Sequence, residues 1–204
     1  MIIFSFVKEA RRRWLRFCAL NRAYLLCRLW HANKGHGVRF FGKTILRSYS
    51  KDAISLGDDV TILSHTSYNL VGLTNPSIIC ACPGAKIRIG SHTGLSSVVI
   101  HARNSIAIGD YVKIGGNVRI FDHDFHSLDW EDRRPHEKAS SVTRPVSIGN
   151  DVFIGTNAMI LKGTRVGERS IIAAGSVVFG LDIPPDSIVK GNPARVMSCR
   201  SVNN

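Results

Sequence analysis

Residues 146–178 read VSIGNDVFIGTNAMILKGTRVGERSIIAAGSVV, and every sixth position holds a large aliphatic: Ile148, Ile154, Ile160, Val166, Ile172 and Val178. A small residue usually follows, at Gly149, Gly155, Gly167 and Ala173, and a compact one stands two before each, at Val146, Val152, Ala158, Thr164, Ser170 and Ser176. A helix of about 3.6 residues per turn cannot keep a six-residue period on one face. Short strands joined by tight corners can, three strands closing one triangular coil. The stretch therefore predicts an all-β fold, a parallel β-helix.

Upstream the spacing continues through Ile108-Gly109, Ile114-Gly115 and Ile120. The tetrads Ile54–Gly57, Ile87–Gly90, Ile106–Gly109 and Val146–Gly149 read as one corner of successive coils. Gly57 and Gly90 lie 33 residues apart, so the early coils are irregular. Gly109 and Gly149 lie 40 apart, and the surplus falls in the polar, Pro-containing stretch FDHDFHSLDWEDRRPHEKASSVTRP. A loop of that length, residues 121–145, inserted in a compact repeat is more often functional than idle.

The net charge of +12 is unevenly placed: residues 1–50 hold eleven Lys and Arg against the single acid Glu9, which leaves +2 for the rest. A nearly neutral body without zinc-finger or RNA-binding signatures argues against nucleic acid as a partner. Cys18, Cys27, Cys80, Cys82 and Cys199 form no CxxC pair and read as reduced thiols of a cytoplasmic protein. Cys80-Ala81-Cys82 faces one side of a strand and reads as packing rather than a metal site. No 18-residue apolar run is present, and MIIFSFVKEARRR places its charges after the apolar stretch, the reverse of a signal peptide.

In residues 1–50, apolar side chains from Ile3 through Val7, Ala10, Trp14, Phe17, Leu20 and Tyr24 to Leu25-Leu26 recur at helical steps among arginines. This predicts one or two amphipathic helices. Two uses stand open: peripheral contact of residues 1–30 with the inner face of the cytoplasmic membrane, or packing over the prism end or a neighbouring subunit. The division expected is a basic helical extension at 1–50, a β-helix domain at 51–198 and a tail at 199–204.

The hexads, the DFHSLDWEDRR loop, the return through RPVSIGNDVFIGTNAMILKG and the ending DIPPDSIVKGNPARVM resemble the left-handed β-helix, hexapeptide-repeat acyltransferases. Within them the chain looks like the sugar O-acetyltransferases of the maltose, galactoside and colanic-acid type. The handedness comes from this resemblance alone. The resemblance implies acetyl-CoA as acyl donor, a saccharide acceptor in surface polysaccharide biosynthesis, a homotrimer with active sites between prisms, and no metal.

Acetyl transfer to a hydroxyl needs a base, and the loop offers His123, His126 and His136. The resemblance favours His126, because His-Ser-Leu-Asp stands where the family has His-Pro-Leu-Asp. Asp122, Asp124 and Asp129 are candidates to orient the imidazole, with Asp124 taken as the catalytic partner. Asp122, Asn117, Ser97 and Trp130 are candidates for the acceptor side, Ser97 standing where relatives carry an Asn. For coenzyme A the matching positions are Gly155, Thr156, Ala174 and Arg195, with Lys162, Arg165 or Lys190 for phosphate. The competing readings are a serine or other small-molecule acetyltransferase and a catalytically inactive β-helix scaffold. A γ-class carbonic anhydrase would need three grouped histidines, which His92 and His101 do not provide.

Overall fold

The computed structural model describes residues 2–134 and 142–199. One helix, Ile2–Leu29, leads into a parallel β-helix built from three sheets. Sheet A runs through Ile54–Leu56, Lys86–Ile89, Ser105–Ile108, Val146–Ile148, Arg165–Val166 and Asp182–Ile183. Sheet B holds Thr61–Ser64, Gly94–Ser96, Lys113–Gly116, Phe153–Ile154, Ile171–Ile172 and Ser187–Gly191. Sheet C holds Thr44–Ser48, Ser77–Ala81, Val99–Ala102, Arg119–Phe121, Met159–Ile160 and Val177–Val178. The coil is left-handed, the opposite of ordinary parallel crossovers.

Register turns the hexad into three aliphatic ladders. Ile89, Ile108, Ile148, Val166 and Ile183 pair in succession in sheet A, Leu95, Ile114, Ile154, Ile172 and Val189 in sheet B, and Ile79, Ile100, Ile120, Ile160 and Val178 in sheet C. All are sealed from solvent. Burying one such side chain contributes about 1.5–3 kcal/mol, so the ladders are the main source of cohesion. At the corner from sheet A to sheet B a non-glycine residue with positive φ recurs, at Asp59, His92, Tyr111, Asp151, Arg169 and Asp186. The amides of the last five each donate to a carbonyl of the preceding coil, which offsets the backbone cost.

The prism begins before residue 51, the boundary expected from sequence. Asn33–Lys34, Arg39–Gly42 and Thr44–Ser48 make a complete first coil, pairing through Asn33 with Ser55, Arg39 with Thr61 and Thr44 with Ser77. Buried Phe40 and Leu46 fill its interior in place of the Ile-x-Ile-Gly tetrad, so the hexad signal is missing there. The long step from Gly57 to Gly90 is an excursion, residues 65–76, between the second coil's strands in sheets B and C. At the other end Ser187–Gly191 and Ala194–Cys199 form an antiparallel pair that covers the sheet B edge. Beyond Cys199 the expected tail lies outside the described residues.

The helix is single, and its prism-facing side differs from the stripe read in the sequence. Ala19, Ala23 and Cys27 are buried, with Leu26 and Trp30 packed on the core. Small residues at four-residue steps let the helix lie close to the strand Arg39–Gly42, and Arg22 donates to the carbonyls of Phe40 and Gly42. Trp14, Phe17, Tyr24, Leu25 and Leu29 are exposed instead. At about 100° per residue, Arg12 and Arg16 continue the line of Ala19 and Ala23, while Arg11, Arg13, Arg22 and Arg28 point elsewhere. No helix among the described residues is long and apolar enough to cross a membrane.

Candidate active site

The loop leaves sheet C after Phe121, and its stem is closed by a bridge between His123 and Thr143 and by the Arg144 amide donating to the Asp122 carbonyl at 2.8 Å. Asp122 is wholly buried. One carboxylate oxygen accepts from the Arg103 amide at 2.8 Å and meets His123 Nδ1 at 2.8 Å, and the other accepts from the Asn104 amide at 2.7 Å. Those contacts hold the carboxylate inside the stem, so Asp122 does not line an acceptor surface as expected. His123 is 4% exposed and its Nε2 has no partner. Phe125 packs on the His123 ring with centroids 4.7 Å apart.

His126 is exposed, at the entry to a compact turn. Ser127 Oγ donates to Asp132, the Asp129 amide donates to Ser127 Oγ, the Glu131 amide to Asp129, and Arg133 to the carbonyls of Ser127 and Leu128. These bonds order the turn on which the imidazole sits. Asp124 does not orient it: its carboxylate forms an ion pair with Lys162, a buried cation of the neighbouring coil. That corrects two expectations at once, Asp124 as the partner of His126 and Lys162 as a contact for cofactor phosphate. Trp130 is exposed with the Arg134 guanidinium 4.2 Å from its ring centroid, and His136 lies outside the described residues.

Ser97 and Asn117 occupy one corner, from sheet B to sheet C, both with positive φ and both buried. Neither presents its side chain to an open cleft. Asn117 accepts from the amide and hydroxyl of Thr74 and donates to the Gly72 carbonyl, and Asn75 donates to the Ser97 carbonyl. Residues 65–76 are thereby tied over this corner, a cover the sequence did not reveal. The excursion occupies the Asn117 side chain and covers Ser97, whose hydroxyl is buried without a partner, so neither of these two residues expected on the acceptor side is open to a sugar in this arrangement.

The cofactor-side positions fall in a column on the same corner further along the prism. Gly155 donates its amide to the Ile172 carbonyl, and Ala173 donates to Val189, so Gly155, Ala173 and Lys190 stack coil on coil. A Cβ at Gly155 would stand 2.4 Å from the Ala174 nitrogen, closer than any carbon can approach. Only glycine fits there. Thr156 bonds the Gly116 carbonyl at 2.6 Å, Ala174 is exposed beside it, and the column ends where Lys190 faces Arg195 across the antiparallel pair. Arg165 sits 3.8 Å from Asp182 on sheet A, away from this column.

Residues 145–180 match the family described as bacterial transferase hexapeptide (six repeats). The hexads read from the sequence at 146–178 fall within that match. The chain is 35% identical over 122 residues to the galactoside O-acetyltransferase of Escherichia coli, a match covering 59% of this chain and 57% of that protein. The chain thus spans a little over half the length of the curated relatives it matches. Among solved structures it resembles a hexapeptide-repeat acetyltransferase from Vibrio cholerae in complex with acetyl coenzyme A, at TM-score 0.58 and 29% identity, covering 89% of this chain and 78% of that one. The fold also matches AntD, an N-acyltransferase from Bacillus cereus, at TM-score 0.67 and 20% identity over 88% of this chain and 89% of that one.

The chain carries one further cluster, whose two cysteines the sequence reading took for packing rather than a metal site. Cys80, Cys82 and His101 stand together on the outer face of sheet C, Cys80 paired in register with His101. Burial, with Cys82 beside it, pushes the Cys80 thiol above its usual range. Burial, followed by the neighbouring His123 and Arg103, lowers His101. The signal lay in the register: one coil separates the two residues.

Proposed function

We propose that the protein is an acetyl-CoA-dependent O-acetyltransferase that acetylates a hydroxyl of a saccharide in surface polysaccharide biosynthesis, with His126 as general base. The observation that carries the reading is the column of Gly155, Thr156 and Ala174 ending at Lys190 and Arg195. Small residues leave a track in which a thin pantetheine arm can reach backbone groups, and the basic end suits the nucleotide phosphates. Coenzyme A bound there would supply the activated acetyl group. The similarity to a galactoside O-acetyltransferase supports a sugar acceptor.

Among the described residues of the loop, His126 is the imidazole that an acceptor can reach, whereas His123 is closed off at the stem. A base must come within about 2.6–3.2 Å of the hydroxyl proton it removes. As His126 takes that proton, the hydroxyl oxygen attacks the thioester carbonyl, and collapse of the tetrahedral intermediate expels the coenzyme A thiolate, which is protonated as it leaves. Trp130, exposed in the same loop, offers an aromatic ring for the sugar.

The loop and the column stand at different corners of the triangular coil, since the loop joins sheet C to sheet A and the column joins sheet B to sheet C. A site that uses both is therefore made by two subunits, which is the reason for reading the assembly as a homotrimer. Incubating the full chain with acetyl-CoA and a panel of galactosides, glucosides and nucleotide sugars tests the reading. It expects release of free coenzyme A coupled to an O-acetylated sugar. Acetylation of serine or an amino sugar nitrogen alone would replace the acceptor class, and failure to bind acetyl-CoA would leave a scaffold.

A further inference from the structure

We infer that Cys80, Cys82, His101 and His123 form a binding site for one Zn²⁺-class cation. Three of the donors are already gathered: a sulfur or nitrogen of Cys80, Cys82 and His101 lies within 4.8 Å of each of the others, and Cys82 Sγ is 4.0 Å from His101 Nε2. In a tetrahedral zinc site with bonds of about 2.0–2.3 Å, neighbouring donors stand roughly 3.5–3.8 Å apart. The trio therefore needs to close by no more than about 1 Å. Two thiols and an imidazole are the donor types that zinc selects over magnesium or calcium.

His123, which stands outside the 4.8 Å grouping, takes the fourth place on grounds independent of the trio. Its ring lies 5.0 Å from that of His101, centroid to centroid. Its Nδ1 is held by Asp122, whose other contacts are both backbone amides, so Nε2 is the ring nitrogen left over. That nitrogen is buried with no hydrogen-bond partner, which is costly unless something fills the place. A carboxylate fixing one imidazole nitrogen so that the other faces a metal is the usual arrangement around zinc. The site is covered by Phe125 and joins the outer face of sheet C to the stem of the loop that carries His126. Bound metal would pin that stem to the prism. The inference stands whether or not the chain transfers acetyl groups.

The test is zinc binding by full-length protein, stripped of metal and kept reduced, against a chromophoric chelator, with Co²⁺ as a spectroscopic substitute. One equivalent of Zn²⁺ should bind, and Co²⁺ should give thiolate charge-transfer absorption and tetrahedral bands. Cys82→Ser, His101→Ala and His123→Ala should each weaken Zn²⁺ binding at least tenfold, and Asp122→Asn about 10–100-fold, the range for a lost outer partner. Circular dichroism of each variant separates lost ligands from lost fold, and Cys82→Ser is the mildest change. Absence of stoichiometric uptake by the reduced protein overturns the site. So does an affinity unchanged in Cys82→Ser and His101→Ala, and an affinity unchanged in His123→Ala overturns the four-donor assignment.

Discussion

Lys162 reaches from the corner after Met159–Ile160 to form an ion pair with Asp124 of the loop, the lysine side chain 7% exposed and the carboxylate 27%. The contact fastens the loop to the coil that follows it, from the side opposite the Asp122–His123 stem. Removing one member leaves a buried charge, which costs more than removing both. Asp124→Leu is expected to destabilise the fold by about 2–4 kcal/mol, and Lys162→Met combined with it by clearly less. Urea unfolding of the two single variants and the double variant checks this. Additive losses would mean that the pair is solvent-screened.

Gly155 has no room for a side chain, its Cβ position lying 2.4 Å from the Ala174 nitrogen. Gly155→Ala must push two coils apart at the start of the column. The expected result is a folded protein with a lower Tm and acetyl-CoA binding weakened at least tenfold, read by calorimetry. Unchanged binding in a folded variant would place the coenzyme elsewhere.

Cys27 sits where the helix meets the core, and burial pushes its thiol up to about 11, against a small opposing pull from Lys34. The unfolded chain ionises this thiol first, so the native state holds the extra proton between the ordinary thiol range and about 11. Stability should therefore fall as pH rises through that window and be unaffected below it. Denaturation at pH values from neutral to alkaline, compared with Cys27→Ala, isolates the contribution. An identical pH dependence in both proteins would show that the thiol is not sealed.

The repeat was legible because each hexad carries the same demand, one wide aliphatic and one small neighbour, and register multiplies it across the five coils of the sheet C ladder. The first coil was not, since Phe40 and Leu46 fill it without that period. The helix misled in a different way. Large apolar residues such as Trp14 and Phe17 drew attention to the exposed side, while Ala19 and Ala23, weak signals in hydropathy, make the close contact. The histidine loop was readable as a place but not as a set of partners. Which carboxylate meets Lys162 and which meets His123 depends on how the loop folds back, and the Cys80–His101 pairing depends on coil lengths that vary along the chain.

The exposed aromatic side of the helix keeps the question of anionic membranes open to direct test. Arginines spread around the helix rather than along one face weaken surface attraction, which grows by about 1 kcal/mol per basic residue only for those near the lipid. Vesicles of anionic phospholipid should bind the full chain in a way that salt weakens, and deletion of residues 2–16 should remove the binding while leaving the Ala19–Cys27 contact and the fold intact. Loss of folding on that deletion would show that the arginine-rich half also supports the prism. Lack of any salt-sensitive binding would remove the membrane from the account.

The account rests on His126 as the base that an acceptor can reach, and the decisive measurement is the steady-state rate of acetyl transfer to the best saccharide acceptor by His126→Ala and His123→Ala. The account predicts that His126→Ala keeps its fold and its affinity for acetyl-CoA while kcat falls by about 100-fold or more. His123→Ala should lose much less. Near-native turnover by His126→Ala, or a collapse of turnover confined to a folded His123→Ala, would contradict it.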